Sequence, residues 1–296
     1  MTLAMAWRSE GRVHLASDSR IKLGEARFAD VGIKVIAVPV VVTDTGGPED
    51  NGPSIAFQQT YGLAYAGSLV NAGTFCELIG ELLQHVQFVH REIPLTFVTI
   101  CDFLVDYSSR ISTEICAYME RRGRYEFFFT GKCPNSGRLH AAKFQFAYEG
   151  GDAMASYREI LTEDQQFDAI GSGVNTARQR VQAVDMRSML LVLNEVIESR
   201  EIESVGGDLQ YGSFTRDGHF NIYGIVRRTM ERVVHDGRVY GPEEQRIYKY
   251  RGFQIYDNWN PLELPLWVTP SLVELHVLPN AESTAQFRKR HGLPPE

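Results

Sequence analysis

Long apolar runs are absent from this sequence, and its mean hydropathy is −0.21. A helix that crosses a bilayer needs about 20 consecutive apolar residues, so no membrane span is expected. The opening Leu3, Ala4, Met5 and Ala6 meet Arg8, Glu10 and Arg12 too soon to form a signal-peptide core. A basic surplus is also lacking. The chain has 30 Lys and Arg against 37 Asp and Glu, a net charge of −7, which excludes nucleic-acid binding through a general basic surface. Cys76, Cys101, Cys116 and Cys133 form no C-x-x-C pair and have no metal-ligand spacing, so neither a metal site nor a disulfide framework is expected. No cofactor motif is present. The Gly-rich loop ending in Lys-Ser/Thr that cradles nucleotide phosphates is missing, so any ATPase working with this protein is another chain. These absences point to a soluble, thiol-reduced, cytoplasmic protein.

What is present is ordinary globular material. Hydrophobic residues make up 44% and charged residues 23% of 296, enough for a sizeable core. No repeat, low-complexity tract or clean linker divides the chain. The polar, acidic, Gly/Pro-rich stretch from Thr43 to Pro53 reads as an exposed loop inserted between strands. Residues 2–227 read as one domain. Residues 228–296, with Trp259, Trp267 and several prolines, read as a C-terminal extension that reaches a neighbouring subunit.

The period of the apolar residues changes along the chain. Leu3 to Trp7 and Val13 to Ala16 flank a Ser9-Glu10-Gly11-Arg12 turn and predict a hairpin. Ile33 to Val42, Ile55 to Phe57 and Leu63 to Ala66 predict further strands. Ala72, Phe75, Ile79, Leu82, Leu83 and Val86 then fall at helical spacing. Phe97, Cys101, Leu104, Val105, Ile111, Ile115 and Met119 do the same, with Pro94 at the helix start. Strands return at Tyr125 to Thr130, Leu139 to Tyr148 and Phe167 to Ile170. A second helix pair runs through Val174, Ala177, Val181 and Val184, then Met189, Leu190, Leu193, Val196 and Ile197. Leu209 to Thr215 and Phe220 to Val226 form a hairpin around Asp217-Gly218. After residue 228 the signal weakens to one hairpin at Ile247 to Tyr256 and a loop-like Pro261 to Pro294. Helix pairs separated by sheet bury best on opposite faces of two packed sheets, so the expected class is α+β, a four-layer αββα sandwich.

Four short segments carry the chemistry. They are Met1-Thr2, the run Ala16-Ser17-Asp18-Ser19-Arg20, Lys34 inside an apolar stretch, and Ala66-Gly67-Ser68 between a strand and a helix. Each alone has a plain structural explanation: a frayed terminus, a turn residue, a snorkelling strand lysine and a backbone-conformation glycine. Together they fit one chemical solution. A Thr hydroxyl is a weak nucleophile and needs a base. If Met1 is removed, Thr2 carries a free α-amino group of reference pKa about 7.7–8.0, suited to general-base work at neutral pH. A buried Lys34 lowers the hydroxyl pKa, and Asp18 is its natural charge partner. The Gly67 N–H can face a developing oxyanion.

With these residues in hand the sequence resembles the proteasome-like peptidases of the N-terminal-nucleophile hydrolase superfamily: proteasome β-subunits, the bacterial peptidase HslV and, most closely, the bacterial Anbu group. The likeness rests on Met1-Thr2-Leu3, Ala16 to Arg20, Leu23-Gly24, Lys34-Val35, Tyr65 to Ser68 and Ala169 to Gly173, and it covers residues 2–227. It implies a threonine-type peptidase acting on peptide or unfolded-protein substrates inside a self-compartmentalised, ring-like homo-oligomer. It assigns Thr2 as nucleophile, its amine as base through a water, Lys34 as activating ammonium, Asp18 as its partner and Gly67 as oxyanion donor. Ser172 matches a serine that hydrogen-bonds near the nucleophile, though Gly171-Ser172-Gly173 is also an ordinary turn before a helix. Within or beside Ser204 to Asp208, either Glu201 or Asp208 fills a late acidic role. Asn71 and Glu77 also match family positions and read as structural. His85 and His90 lack an acidic ligand set and are not read as a zinc site. Arg227, Arg228 and Arg232 form the one basic run and read as a solvated face. The same machinery serves an amidase for small acyl amides, and a chain that kept Met1 would lose its base and become a structural subunit.

Overall fold

The first strand, β1 (Leu3–Ser9), buries both of its faces. Leu3, Met5 and Trp7 enter one core and Ala4 and Ala6 another, and all five are fully buried. Such a strand lies inside the molecule with apolar neighbours on either side. The computed structural model describes residues 2–24, 27–44, 53–88, 94–149, 152–235, 238–254 and 271–276.

The elements continue in chain order with β2 (Arg12–Ser17), β3 (Ile21–Lys22), β4 (Phe28–Ala29), β5 (Val35–Asp44) and β6 (Ser54–Gly67). Then come α1 (Leu69–Leu82), β7 (Val86–Phe88), α2 (Phe97–Met119), β8 (Tyr125–Lys132), β9 (Leu139–Glu149), β10 (Asp152–Ile160) and β11 (Phe167–Gly171). The last are α3 (Val174–Arg180), α4 (Met186–Ser199), β12 (Gln210–Phe214), β13 (Phe220–His235), β14 (Arg238–Tyr250), β15 (Phe253–Gln254) and β16 (Leu272–His276). One sheet has the order β11-β1-β2-β12-β13-β14-β15, with β16 added parallel to β13. A second has the order β10-β9-β8-β6-β5-β7, and β3-β4 form a small ribbon.

Three apolar clusters hold these elements in a mixed α+β fold. The first joins α1 and α2 to the second sheet through Phe75, Ile79, Leu104, Tyr61, Phe127 and Phe144. Phe127 and Phe144 stack at 4.3 Å, a contact worth about 0.5–1.5 kcal/mol beyond the area it buries. A second cluster joins α3 and α4 to the first sheet through Ala177, Met189, Leu193, Leu3, Met5 and Trp7. The remaining cluster draws on both sheets and is filled by Ala4, Ala6, Ala64, Ala66, Phe128 and Phe220. Phe220 lies against Gly62 and Gly212, where an added Cβ would come within 2.6 and 2.4 Å of its ring. Only glycine lets the backbone approach that closely.

Several elements depart from the sequence expectation. Ile55 to Phe57 and Leu63 to Ala66 belong to one 14-residue strand, β6. Gln58, Gln59, Thr60 and Gly62 break its apolar alternation, Gly62 for the contact just given. Val86 leaves the helical set and pairs in parallel with Val42. α2 starts after Thr96, which caps it through reciprocal bonds with Thr99, so Pro94 lies before the helix and outside its first turn. α3 ends at Arg180 with Val181 extended, which leaves Val184 outside it. β10 is an added edge strand whose mixed residues hide its alternation. β13 and β14 continue well past residue 228 as a charged ladder. Arg227 is not on a solvated face: it is largely buried and pairs with Glu198 and Asp208. His85 is exposed in the turn after α1, and His90 lies outside the described residues. Also outside them are Met1, most of the 43–53 loop, Trp259 and Trp267. The four cysteines are buried free thiols. Among the described residues no helix is long and apolar enough to cross a membrane.

Candidate active site

Strand register builds the site. β1 and β2 pair antiparallel with Ala4 opposite Ser17, which sets residue 18 beside the start of β1. Leu3 N–H donates to Asp18 Oδ1 at 3.1 Å, and Asp18 N–H donates to the Leu3 carbonyl at 3.2 Å. Lys34 immediately precedes β5, and Val35 pairs with Ala64 of β6. Thr2, Asp18 and Lys34 are all buried, at 2%, 0% and 1% exposure.

Lys34 Nζ is the centre of the cluster. It donates to Thr2 Oγ1 at 2.6 Å, to Asp18 Oδ1 at 3.0 Å and to the Arg20 carbonyl. An ammonium has three N–H groups, and all three are engaged. The Asp18 carboxylate and the Arg20 carbonyl can only accept. The position facing Thr2 is therefore the one at which Lys34 can exchange an N–H for a lone pair. Asp18 is equally filled, because its Oδ2 accepts the N–H groups of Gly206 at 3.0 Å and Arg20 at 3.2 Å. Burial pushes the Lys34 ammonium below the usual lysine range, against the pull of Asp18. It pushes the Asp18 carboxyl up, against Lys34 and the Gly206 and Leu3 N–H groups. Desolvation is the larger influence on both groups.

Other contacts hold the ends of the cluster. Ser172 N–H donates to the Thr2 carbonyl at 2.9 Å, and Ser172 Oγ lies 2.7 Å from Ser204 Oγ. Gly171 has φ +93°, and a Cβ there would fall 1.9 Å from the Thr2 carbonyl oxygen. Gly67 has φ +123° and packs so closely on Arg124 and Tyr125 that a Cβ would come within 2.5 Å. It makes no hydrogen bond to Thr2 among the described residues. Its chain neighbour Ala66 packs near the other end: a Cβ at Gly171 would lie 3.1 Å from the Ala66 Cβ.

The structure does not bring the two late acidic residues to Thr2. The Asp208 carboxylate is taken by Lys249 at 2.6 Å and Arg227 at 3.6 Å, while its N–H donates to Ser19 Oγ at 2.8 Å. Glu201 is exposed and pairs with Arg180. Asn71 is buried and donates to the Gly123 carbonyl, a structural contact. Sequence reading does not single out Gln210. This buried side chain accepts the Lys34 and Val35 N–H groups at 2.9 and 3.2 Å and donates to the Gly32 carbonyl, fixing the backbone that carries Lys34. A single glutamine at a strand start carries no signal of its own.

A cavity of about 440 Å³ opens beside this cluster, lined by Ile21, Gly32, Ile33, Ile36, Tyr65 and Cys76 among others. A Cβ at Gly32 would be 3.5 Å from Lys34 Cε. Another cavity, of about 400 Å³, surrounds Asp168, whose carboxylate is taken by Arg158 and Arg178. Among the described residues no group of three His, Cys, Asp or Glu could hold a metal ion.

Solved structures of Anbu proteins match this chain over most of its length. An Anbu Gly-1 mutant from Hyphomicrobium sp. strain MC1 is 19% identical, and the match covers 82% of this chain and 87% of that one at a TM-score of 0.51. The chain has the Anbu fold. Anbu (ancestral beta-subunit) from Yersinia bercovieri is 17% identical, covering 72% of this chain and 82% of its own at a TM-score of 0.50. The Pseudomonas aeruginosa protein, described as a helical assembly of the Anbu complex, is 14% identical and covers 100% of this chain and 98% of its own at a TM-score of 0.52. No family model matches the chain, and no curated protein does. The Anbu fold agrees with the resemblance drawn from the Thr2, Asp18 and Lys34 segments.

Proposed function

We propose that this chain is a threonine-type amide hydrolase, a peptidase, that attacks with Thr2 once Met1 is removed. The observation that carries the reading is the 2.6 Å contact between Lys34 Nζ and Thr2 Oγ1, with Asp18 3.0 Å from the same nitrogen. Thr2 Oγ1 attacks the amide carbonyl carbon, and its proton passes through a water to the α-amino group. Lys34 stabilises the developing alkoxide by donating toward it. The Gly67 N–H stabilises the oxyanion, a contribution of roughly 2.7–4 kcal/mol for one such donor. The C–N bond breaks, the leaving amine takes the proton, and the ester on Thr2 is hydrolysed by water. Ser172 steadies Thr2 through its carbonyl. Asp208 acts at one remove: its backbone N–H anchors Ser19, the residue after Asp18, and its carboxylate is tied to Lys249. The cavity next to Lys34 receives a substrate side chain.

The fold supports the wider reading as well. Three clusters, helix against sheet, sheet against sheet and sheet against helix, support a four-layer αββα sandwich. We assign residues 2–227 as the catalytic domain and 228–296 as an extension. A self-compartmentalised homo-oligomer in the cytoplasm fits a protease whose open site would endanger its neighbours. The Pseudomonas aeruginosa assembly supports oligomer formation. The test is Thr2→Ala against Thr2→Ser with fluorogenic peptides. Thr2→Ala abolishes hydrolysis while the sedimentation profile stays that of the wild type, and Thr2→Ser keeps part of the rate. Full activity in Thr2→Ala removes the assignment.

A further inference from the structure

We propose that Arg251, at the turn between β14 and β15, selects substrates that place an acidic side chain in the cavity beside Lys34. The inference rests on the reading of that cavity as the substrate pocket. Arg251 lies in the C-terminal extension, outside the segments that carry the family resemblance, yet it lines the same cavity as Ile21, Gly32, Ile33 and Tyr65. The extension thus supplies a charged wall to a pocket that is otherwise mostly apolar.

The turn is held in place from several sides. Lys249 and Tyr250 pair with Gln254 and Phe253. Lys249 Nζ is 2.6 Å from Asp208 Oδ2, and Asp208 N–H in turn holds Ser19. Gly252 packs on Ser19, where a Cβ would come within 3.1 Å. Arg251 has φ +52° and Gly252 φ +87°, the two left-handed residues that close this two-residue hairpin. The backbone that presents Arg251 to the cavity is thus held before any substrate arrives.

The guanidinium has an unmet demand. Arg251 is partly buried, its Nε is buried without a hydrogen-bond partner, and no ion pair reaches it among the described residues. Its Cζ lies 5.9 Å from the centre of the Tyr250 ring. Nearby cations are paired. Arg20 grips Asp30 with two bonds of 2.7 and 2.9 Å, Lys249 holds Asp208, and Arg227 holds Glu198. A partly buried guanidinium is best satisfied by a carboxylate, which its fork meets with two parallel hydrogen bonds. Tyr65 Oη, also in the pocket wall, already donates to the Ile33 carbonyl at 2.8 Å. Glu77 also borders the cavity, but it is exposed, and water screens its charge. A glutamate side chain fits these demands: its methylenes lie along Ile21 and Ile33 while its carboxylate meets Arg251.

The experiment uses the full-length protein and two matched probes, acetyl-Ala-Ala-Glu-aminomethylcoumarin and its Gln counterpart. Wild type favours the Glu peptide in kcat/KM by about tenfold or more. Arg251→Gln collapses that ratio to near one, Arg251→Lys keeps part of it, and Arg251→Glu turns the preference toward a Lys peptide. A circular dichroism melt confirms that each variant is folded. In parallel, acetyl-Ala-Ala-Glu-Ala-amide and its Gln analogue are titrated calorimetrically into Thr2→Ala, with and without Arg251→Gln. This second arm needs no turnover, so it tests Arg251 even if Thr2 is not the nucleophile. Hydrolysis without a Glu preference overturns the Arg251 inference and leaves the hydrolase reading standing. A ratio unchanged by Arg251→Gln, equal affinity for the two peptides, or no binding of either also overturns it.

Discussion

Lys34 Nζ sits 2.6 Å from Thr2 Oγ1, and its two remaining N–H groups are fixed on acceptors that cannot donate back. The lysine is thereby aimed at one hydroxyl, but it is also buried as a charge. Asp18 is its counter-ion, and the two depend on each other.

The first prediction concerns that dependence. Lys34→Met leaves the Asp18 carboxylate buried and uncompensated and destabilises the fold by about 3–5 kcal/mol. The double variant Asp18→Asn/Lys34→Met is more stable than Lys34→Met alone, because the unpaired charge is gone. The pH dependence has a definite sign. Asp18 is shifted upward, so its contribution favours folding below the ordinary carboxylate range and is lost as pH rises through its folded value. Removing Lys34 deepens that shift, so Lys34→Met gains stability on acidification relative to wild type. Urea unfolding of the four proteins of the cycle, at neutral and mildly acidic pH, measures both effects. Additive losses contradict the coupling.

Gly171 gives a sharper, local prediction. Gly171→Ala must place a Cβ within 1.9 Å of the Thr2 carbonyl or push Thr2 away, and φ +93° is strained for any side chain. A displacement of about 1 Å lowers the rate roughly 100-fold. Kinetics with a fluorogenic peptide should show the loss in kcat more than in KM. Wild-type kcat in Gly171→Ala would mean that Thr2 need not be held where it lies.

His14 predicts how the fold responds to acid. Its ring stacks on Trp7 at 5.1 Å and contacts Tyr211 Oη at 2.8 Å and Ser9 Oγ at 3.1 Å. Burial lowers its pKa to about 4. A lowered histidine contributes stability that is present above its unfolded pKa and lost as pH falls through the folded value. Between about pH 6.5 and 4 the loss amounts to roughly 3 kcal/mol. His14→Phe keeps the stack and should flatten this part of the stability–pH curve, measured by urea titration. An unchanged slope in His14→Phe places the acid sensitivity elsewhere.

How much of this was legible in the sequence varies with the kind of signal. The proximity of Thr2, Asp18 and Lys34 was legible because a nucleophile, a cation and its counter-ion sat at the starts and ends of strands that apolar runs and a turn signal had already drawn. A strand such as β1 could be read from its short unbroken apolar run ending at a turn. β6 was not legible as one strand, because Gly62 and its polar neighbours serve a contact with Phe220 that lies 158 positions away in the chain, as 220 − 62 gives. The β13–β14 ladder was hidden by its charges. Gln210 and the Arg20 carbonyl were invisible because backbone groups and a lone amide leave no pattern. Arg251 was invisible for another reason: only the fold brings a residue of the extension to the cavity beside residue 34.

The central claim is that Thr2 Oγ is the attacking atom, and labelling measures it most directly. The protein isolated from its own cells is treated with a β-lactone, whose ring opens onto a reactive hydroxyl, and the N-terminal peptide is sequenced by mass spectrometry. The account predicts a chain beginning at Thr2, with one lactone mass on its hydroxyl and none in Lys34→Ala. A chain that retains Met1, or an adduct on some other residue with Thr2 unmodified, contradicts it.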